Sequence, residues 1–364
     1  MRPFSLFIGL LSLGMTLQAQ VASTQRYLVQ FADKDLDCDP SGDFDQKALE
    51  RRMRHGVAFP MWEDFPVTAA YIDEIQENVT QLRHVLRWWN GVTMEATQEE
   101  IEQVSRLPFV LGIEAMERME VVVTEDEAFA GLDKIMGEDS LRDHLLFGHQ
   151  RTMVGMSVAE AQQLSGKGLR IAVFDAGFSG ADSHPAFSHL YQRSLVKGTR
   201  DFVAGDADVY AHSNHGTAVW SCIAGMYEGK RLGAAVDAEF LLCRTELNLR
   251  EIAAEEDHWM AAAEWADQQG ADIISSSLGY GRPRHAYNDM DGQRTLVSRA
   301  AAMAVRKGIL VVNSAGNEGV DKFHYITAPG DIGFRPDRGR LLPYVARQNA
   351  FLLRWPKLPR HPQA

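Results

Sequence analysis

Four short apolar runs, separated by longer helical segments, constrain the fold of this chain more than any other feature of its sequence. They read LRIAVF (169–174), AEFLLC (238–243), DIISSS (272–277) and ILVVNS (309–314). Helix-forming stretches such as REIAAEEDHWMAAAEWADQQG lie between them. Strands with a continuous apolar sequence are typical of parallel sheets that are buried on both faces, with helices as the crossovers. The pattern therefore predicts an α/β domain, a parallel sheet flanked by helices, over residues 151–331.

The residues before this domain show a different pattern, typical of a small α+β unit over residues 20–120. RYLVQF alternates Tyr27, Val29 and Phe31, which predicts a strand with one buried face. GVTMEA alternates in the same way, and FVLGIEAM reads as a further strand. Strands that alternate with short helical segments in about 100 residues predict a ferredoxin-like α+β sandwich.

Two helices are predicted within this unit. FDQKALERRMRHG places Phe44, Leu49 and Met53 near one helical side and should end at Gly56. TQEEIEQVSRLP begins with Thr97 and Glu100 at the spacing of a capping box. This second helix carries Ile101, Val104 and Leu107 at a spacing of three and should end at Pro108.

The two ends of the chain differ from its middle. MRPFSLFIGLLSLGMTLQAQ has one early arginine, an apolar run and a small residue at a cleavage position, which predicts a secretory signal peptide over residues 1–19. The run is too short to span a bilayer, so we expect an exported protein without a membrane span. Residues 121–150 are predicted to be a linker. Residues 332–364 form a Pro-rich tail with seven basic residues and one acid.

The overall charge restricts the partners. The chain holds 37 basic and 49 acidic residues, a formal net charge of −12. Nucleic-acid binding needs a basic face that neutralises phosphates, so we expect no nucleic-acid partner.

Polar residues follow the predicted strands at the edge where open parallel sheets bind ligands. Asp175 follows the first run, Ser277, Leu278 and Gly279 follow the third, and Asn317 follows the fourth. His215 begins a helix in HSNHGTAVWSCIAG. An imidazole beside a carboxylate can act as a general base in a fixed tautomer, and an amide can donate a hydrogen bond to an oxyanion.

The local sequences around these residues resemble a known family. IAVFDAGFSGADSHPAF, HSNHGTAVWSCIAG, IISSSLGYG and VVNSAGNEG resemble, in this order, the Asp, His, substrate-strand and oxyanion-Asn blocks of the subtilisin-like serine peptidases. Residues 24–120 look like the propeptide of such enzymes, which assists folding and blocks the cleft.

The resemblance implies a role for each residue. Asp175 would orient the base, His215 would be the general base and then acid, and Asn317 would donate to the oxyanion. Residues 277–279 would pair with an extended substrate backbone. The implied partner is a polypeptide substrate or the chain's own propeptide. The resemblance allows for calcium and requires no other cofactor, and the sequence predicts no metal ligands of its own.

One part of the family pattern has no counterpart. The chain order of the family is Asp, His and then Ser, yet Ser314 is the last serine of this sequence and precedes Asn317. The sequence therefore predicts an inactive chain, with residues from about 332 either translated in a shifted reading frame or derived from a mis-assembled gene. Three alternatives stay open: a secreted pseudopeptidase that binds peptides, a hydrolase that uses Ser314, and a metal site. The residues of that metal site would be Asp175, His184, His212 and His215.

Overall fold

A computed structural model of the chain describes residues 23–116, 121–122, 151–247, 250–251, 255–281, 284–317 and 325–332. The predicted signal peptide, most of the predicted linker and residues 333–364 of the predicted tail lie outside these ranges. No helix in the described part of the chain is long and apolar enough to cross a membrane.

Residues 23–116, the first unit, form a four-stranded antiparallel sheet with strand order β2–β3–β1–β4. Its elements are β1 (Gln25–Phe31), α1 (Gln46–His55), α2 (Ala69–Asn78), β2 (Gln81–Leu86), β3 (Gly91–Ala96), α3 (Gln98–Val104) and β4 (Val110–Met116). The strand β1 lies between β3 and β4 and is antiparallel to both. This order of strands and helices is the ferredoxin-like arrangement that the sequence predicts.

The described residues from 151 onward, the second unit, form a five-stranded sheet with order β13–β12–β6–β10–β7, in which all neighbours are parallel. Its elements are α4 (Met156–Ala161), β6 (Arg170–Asp175), α5 (Ser188–Gln192), β7 (Val196–Asp201), α6 (His215–Ala224), β8 (Met226–Tyr227), β9 (Lys230–Arg231), β10 (Glu239–Arg244), β11 (Arg250–Glu251), α7 (Glu255–Gln268), β12 (Ile273–Ser276), α8 (Leu296–Arg306) and β13 (Leu310–Asn313). The strand β5 (Val121–Val122) pairs antiparallel with β11. The α/β prediction is confirmed.

The central strand β6 shows why its sequence is apolar throughout. Every residue of β6 is buried. Ile171 and Val173 pack on one face with Trp220 of α6, whereas Phe174 packs on the other face with Trp259 of α7. Because successive side chains of a strand point to opposite faces, a sheet covered on both sides needs apolar residues at every position.

The helix α7 lies between the sheets of the two units and packs against both. Leu28 of β1 is 1% exposed and belongs to the same apolar cluster as Trp259. Tyr27 and Val29 point to the opposite face and pack with Ile75 of α2. The prediction that β1 has one exposed face is therefore wrong, because α7 of the second unit covers the face that alternation assigns to solvent.

The helix α1 differs from its prediction in the face that it buries. It ends at Gly56, as predicted, in the left-handed conformation with φ 65°. Met53, however, is 80% exposed, while Arg51 and Arg52 are at most 1% exposed. Of the predicted apolar side, Phe44 is buried and Met53 is not, because α1 itself packs through its arginines against carboxylates.

Candidate functional site

Asp175 and His215 meet where β6 ends and α6 begins. Asp175 is the last residue of β6 and is fully buried, and His215 is the first residue of α6, with a side chain 45% exposed. His215 Nδ1 lies 2.9 Å from Oδ1 and 3.1 Å from Oδ2 of Asp175. The contact orients the ring and fixes hydrogen on Nδ1, so that Nε2 is left with its lone pair.

The environment of the pair favours a charged imidazole. The hydrogen bond that His215 Nδ1 donates to Asp175 raises the pKa of His215, and burial of the ring opposes this shift. Burial raises the pKa of Asp175, while His215 and the Ala176 amide, which donates to Oδ1 at 2.8 Å, lower it. The carboxylate thus stabilises the imidazolium that would form when His215 accepts a proton.

A glycine allows α6 to lie this close to β6. Gly216 N donates to Gly177 O at 3.0 Å. A Cβ at position 216 would lie 2.4 Å from Gly177 O and 2.9 Å from the Asp175 Cβ. Only glycine fits here, and the contact sets the distance between the carboxylate and the imidazole.

The other predicted site residues follow neighbouring strands. Residues 277–279 follow β12, and Asn317 is exposed four residues beyond the end of β13. Since β6, β12 and β13 are parallel neighbours, both segments leave the sheet at the edge that carries Asp175. Among the described residues, no hydrogen bond joins either segment to Asp175 or His215.

Hydrogen bonds from the end of β13 fix the segment 277–279. Leu278 O accepts hydrogen bonds from Asn313 Nδ2 at 2.8 Å and from Ser314 Oγ at 3.1 Å. The hydroxyl of Ser314 is thereby engaged with a backbone carbonyl, and the residue is only 8% exposed. This geometry disfavours Ser314 as a nucleophile, because its hydroxyl is not presented to a substrate.

The four-residue metal alternative is wrong. His184 Nδ1 accepts a hydrogen bond from Ala186 N at 3.2 Å, and His212 Nε2 lies 3.5 Å from Asp201. In the described ranges, the only group of three or more metal-ligating side chains that come together is His84, Asp257 and His258. The histidines near Asp175 therefore have separate partners and do not converge.

The contacts between the two units were not predicted from the sequence. Glu264 of α7 is buried and accepts hydrogen bonds from Arg87 N at 2.6 Å and Trp88 N at 3.0 Å, in the turn between β2 and β3. Burial raises the pKa of Glu264 to about 8, against the effects of these amides and of the cations Lys34 and Arg87.

A cluster of buried ions makes a second contact between the units. Asp64 of the first unit accepts two hydrogen bonds from Arg52, each 3.0 Å, and one from Lys307 of the second unit at 2.7 Å. Arg52 also donates to Asp267 of α7 at 2.7 Å. Arg51 donates to the same carboxylate and to Ala271 O. The sequence does carry a signal for these contacts, since α7 combines acids with Ala and Trp around its whole circumference, as a helix with two packed faces would.

Comparison with known proteins agrees with both units. Residues 26–128 match the model of the peptidase S8 propeptide domain of Bacteroidota, and residues 166–337 match that of the subtilase family. The chain belongs to the subtilase family. Its ferredoxin-like first unit is a subtilase propeptide domain, and its parallel α/β unit is a subtilase domain.

Several subtilases are similar in sequence. An alkaline protease of Alkalihalobacillus alcalophilus is 24% identical over 69% of this chain and 61% of that protein. Subtilisin Savinase of Lederbergia lenta is 27% identical over 46% and 54%, and subtilisin E of Bacillus subtilis is 30% identical over 44% and 37%. The chain thus spans less than two thirds of the length of the curated relatives that it matches.

Proposed function

We propose that this subtilase chain carries the acid, the base and the oxyanion donor of a subtilisin-like serine endopeptidase beneath its own propeptide domain. The observation that supports this most is the contact of 2.9 Å between Asp175 and His215 at the end of a central parallel strand. Asp175 orients the imidazole, and His215 accepts a proton at Nε2 and later donates it to the leaving group. Asn317 donates to the oxyanion, and residues 277–279 pair with the substrate backbone.

These groups need a hydroxyl to act upon. General-base catalysis by His215 requires a nucleophile within hydrogen-bond reach of Nε2. The sequence has no serine after Ser314, and the Ser314 hydroxyl donates a hydrogen bond to Leu278 O. We therefore propose that the polypeptide with these 364 residues does not form an acyl-enzyme and does not hydrolyse peptides.

The first polypeptide partner in this proposal is the propeptide domain itself. The strand β5, which lies near the end of the segment that matches the propeptide domain, pairs antiparallel with β11 of the subtilase unit. Backbone pairing of an extended segment is the way in which a peptidase holds a substrate strand. Export through the N-terminal signal segment completes the proposal and agrees with the family of the chain.

The test has two arms. The 364-residue protein is incubated with fluorescent casein, beside its Ser314→Ala variant, and neither is expected to cleave above the buffer rate. Hydrolysis by the parent chain that a serine-directed phosphonate abolishes would overturn the predicted inactivity. Loss of that hydrolysis in Ser314→Ala would assign the nucleophile to Ser314.

The second arm tests the roles of Asp175 and His215. The gene is read in its other two frames beyond codon 331 for a Gly-Thr-Ser segment, and the protein so completed is assayed. His215→Ala should lower kcat/KM by about 10²–10⁴-fold, the usual contribution of a general base. A completed enzyme that keeps its rate without His215 would refute the assignment.

Peptide binding without cleavage is a second candidate function, and the pairing of β5 with β11 favours it. Fluorescence polarisation with labelled extended peptides tests whether the 364-residue chain binds peptides although it does not cleave them. Saturable binding by the 364-residue chain, with no cleavage of the bound peptide, would support the pseudopeptidase.

A further inference from the structure

Two histidines and a carboxylate come together where the propeptide domain meets α7. His84 lies on β2, while Asp257 and His258 are consecutive residues in the first turn of α7. His84 Nε2 is 2.8 Å from His258 Nδ1, and the ligating atoms of all three side chains lie within 4.8 Å of one another. Asp257 and His258 are at most 1% exposed, whereas His84 is half-buried.

The carboxylate has one oxygen to spare. Asp257 Oδ1 accepts a hydrogen bond from Arg26 Nη1 at 3.0 Å, and Arg26 also binds Glu95 at 2.8 Å. Asp257 Oδ2 is buried without a hydrogen-bond partner among the described residues. The Thr93 hydroxyl lies near enough to lower the pKa of Asp257, but its Oγ1 is also unpartnered, so no hydrogen bond of standard geometry joins the two. A buried carboxylate oxygen without a partner is costly, and a cation beside it would relieve that cost.

We propose that His84, Asp257 and His258 bind one divalent transition-metal ion of the zinc class, which joins the propeptide domain to the subtilase domain. Two imidazoles and one carboxylate form a ligand set that zinc accepts, with water as the fourth ligand. Imidazole nitrogen and carboxylate oxygen, without a thiolate, suit Zn²⁺, Co²⁺ or Ni²⁺ better than softer ions. Arg26 would stay on Oδ1 and orient the carboxylate from behind, as partners of ligating groups commonly do.

Binding requires a small rearrangement. The facing nitrogens of His84 and His258 now share one hydrogen, which would move to the far nitrogen of its own ring, so that both imidazoles stay neutral and no net proton is released. Two nitrogens bound to one tetrahedral zinc lie roughly 3.3 Å apart, given bonds of about 2.0–2.1 Å. The pair therefore needs to separate by about 0.5 Å, which rotation of the half-buried His84 ring can supply.

The consequence is a metal-dependent bond between the two units. One ligand comes from the propeptide domain and two come from α7, so metal binding adds its free energy to the association of the units. The inference does not depend on the proposed catalytic roles, because none of these three side chains contacts Asp175 or His215 in the described ranges.

The experiment uses the full chain after treatment with EDTA and removal of the chelator. At pH 7.5, where ordinary imidazoles are neutral, ZnCl₂ is titrated by calorimetry and CoCl₂ by visible absorption. We expect one equivalent of Zn²⁺, intense Co²⁺ bands typical of four or five ligands, and displacement of Co²⁺ by Zn²⁺. His84→Asn should weaken Zn²⁺ binding by at least tenfold, while His55→Asn, which alters an exposed histidine of the same domain, should leave it unchanged.

The Co²⁺ spectrum of the parent chain keeps the test decisive if His84→Asn does not fold. Weak bands of octahedral Co²⁺, which Zn²⁺ does not displace, would refute the site. So would Zn²⁺ binding that is equally tight in a folded His84→Asn variant, or that is lost in His55→Asn. In each of these cases the pair is a hydrogen bond between the units and holds no metal.

Discussion

Asp64→Asn tests whether the buried ions hold the two units together. Asp64, Arg52 and Lys307 are each at most 1% exposed. The substitution keeps the shape of the side chain but removes the charge that receives three hydrogen bonds from two cations. Arg52 keeps Asp267 as a partner, whereas Lys307 is left with Glu63 at 3.6 Å.

Breaking a buried ion pair on one side costs about 3–5 kcal/mol, because the remaining charge is desolvated and uncompensated. We expect this loss in the free energy of unfolding, measured by urea denaturation with tryptophan fluorescence. The matched control is Asp43→Asn, whose ion pair with Arg87 at 2.7 Å involves a carboxylate side chain that is 49% exposed. An exposed pair contributes about 0–1 kcal/mol, so the control should unfold almost as the parent does.

The pH dependence gives a second measurement of the same cluster. Burial opposes the ionisation of Asp64, but hydrogen bonds from Arg52 and Lys307 outweigh it and lower its pKa below 3.8. A lowered acid pKa means that the unfolded chain binds the proton first, so the stabilisation is complete above about pH 4 and is lost as the pH falls further. Asp64→Asn has no carboxylate to protonate at this position, so its free energy of unfolding should fall less than that of the parent as the pH drops below about 4. If its stability matches that of Asp43→Asn at pH 7, the ion cluster does not hold the units together.

Two further predictions concern the pair at the end of β6. In Asp175→Asn the carboxylate that raises the pKa of His215 is gone, so an NMR titration should show a lower imidazole pKa than in the parent; an unchanged value would contradict the contact. In Gly216→Ala the new Cβ would lie 2.4 Å from Gly177 O. That overpacking should destabilise the protein by about 1–3 kcal/mol in urea, whereas Ala218→Gly, on the same helix, should cost only about 1 kcal/mol.

The sequence predicted those parts of the structure that depend on local patterns. The apolar runs became β6, β10, β12 and β13 because a doubly covered strand has a local signature. The contact of Asp175 with His215 could also be expected, since strand ends in a parallel sheet meet at one edge and the local sequences match a known family.

What the sequence could not predict depends on contacts between distant residues. Glu264 and Arg87 are 177 positions apart, and Lys307 and Asp64 are 243 apart. Nothing in the local pattern of α1 indicates that its arginines are buried, because amphipathic periodicity assigns charged residues to solvent. Only the carboxylates of Asp267 on α7 and of Asp64 make that burial favourable, and both residues lie outside α1.

The position of α7 places two demands on one helix. Beneath the propeptide domain it is an interior helix, and its acids are matched by arginines and amides from outside its own domain. If that domain leaves, Asp257, Glu264 and Asp267 face water, and their negative charge then keeps a former interior surface hydrated. A purely apolar helix would serve the covered state better and the uncovered state worse, so the composition of α7 suits a cover that can be removed.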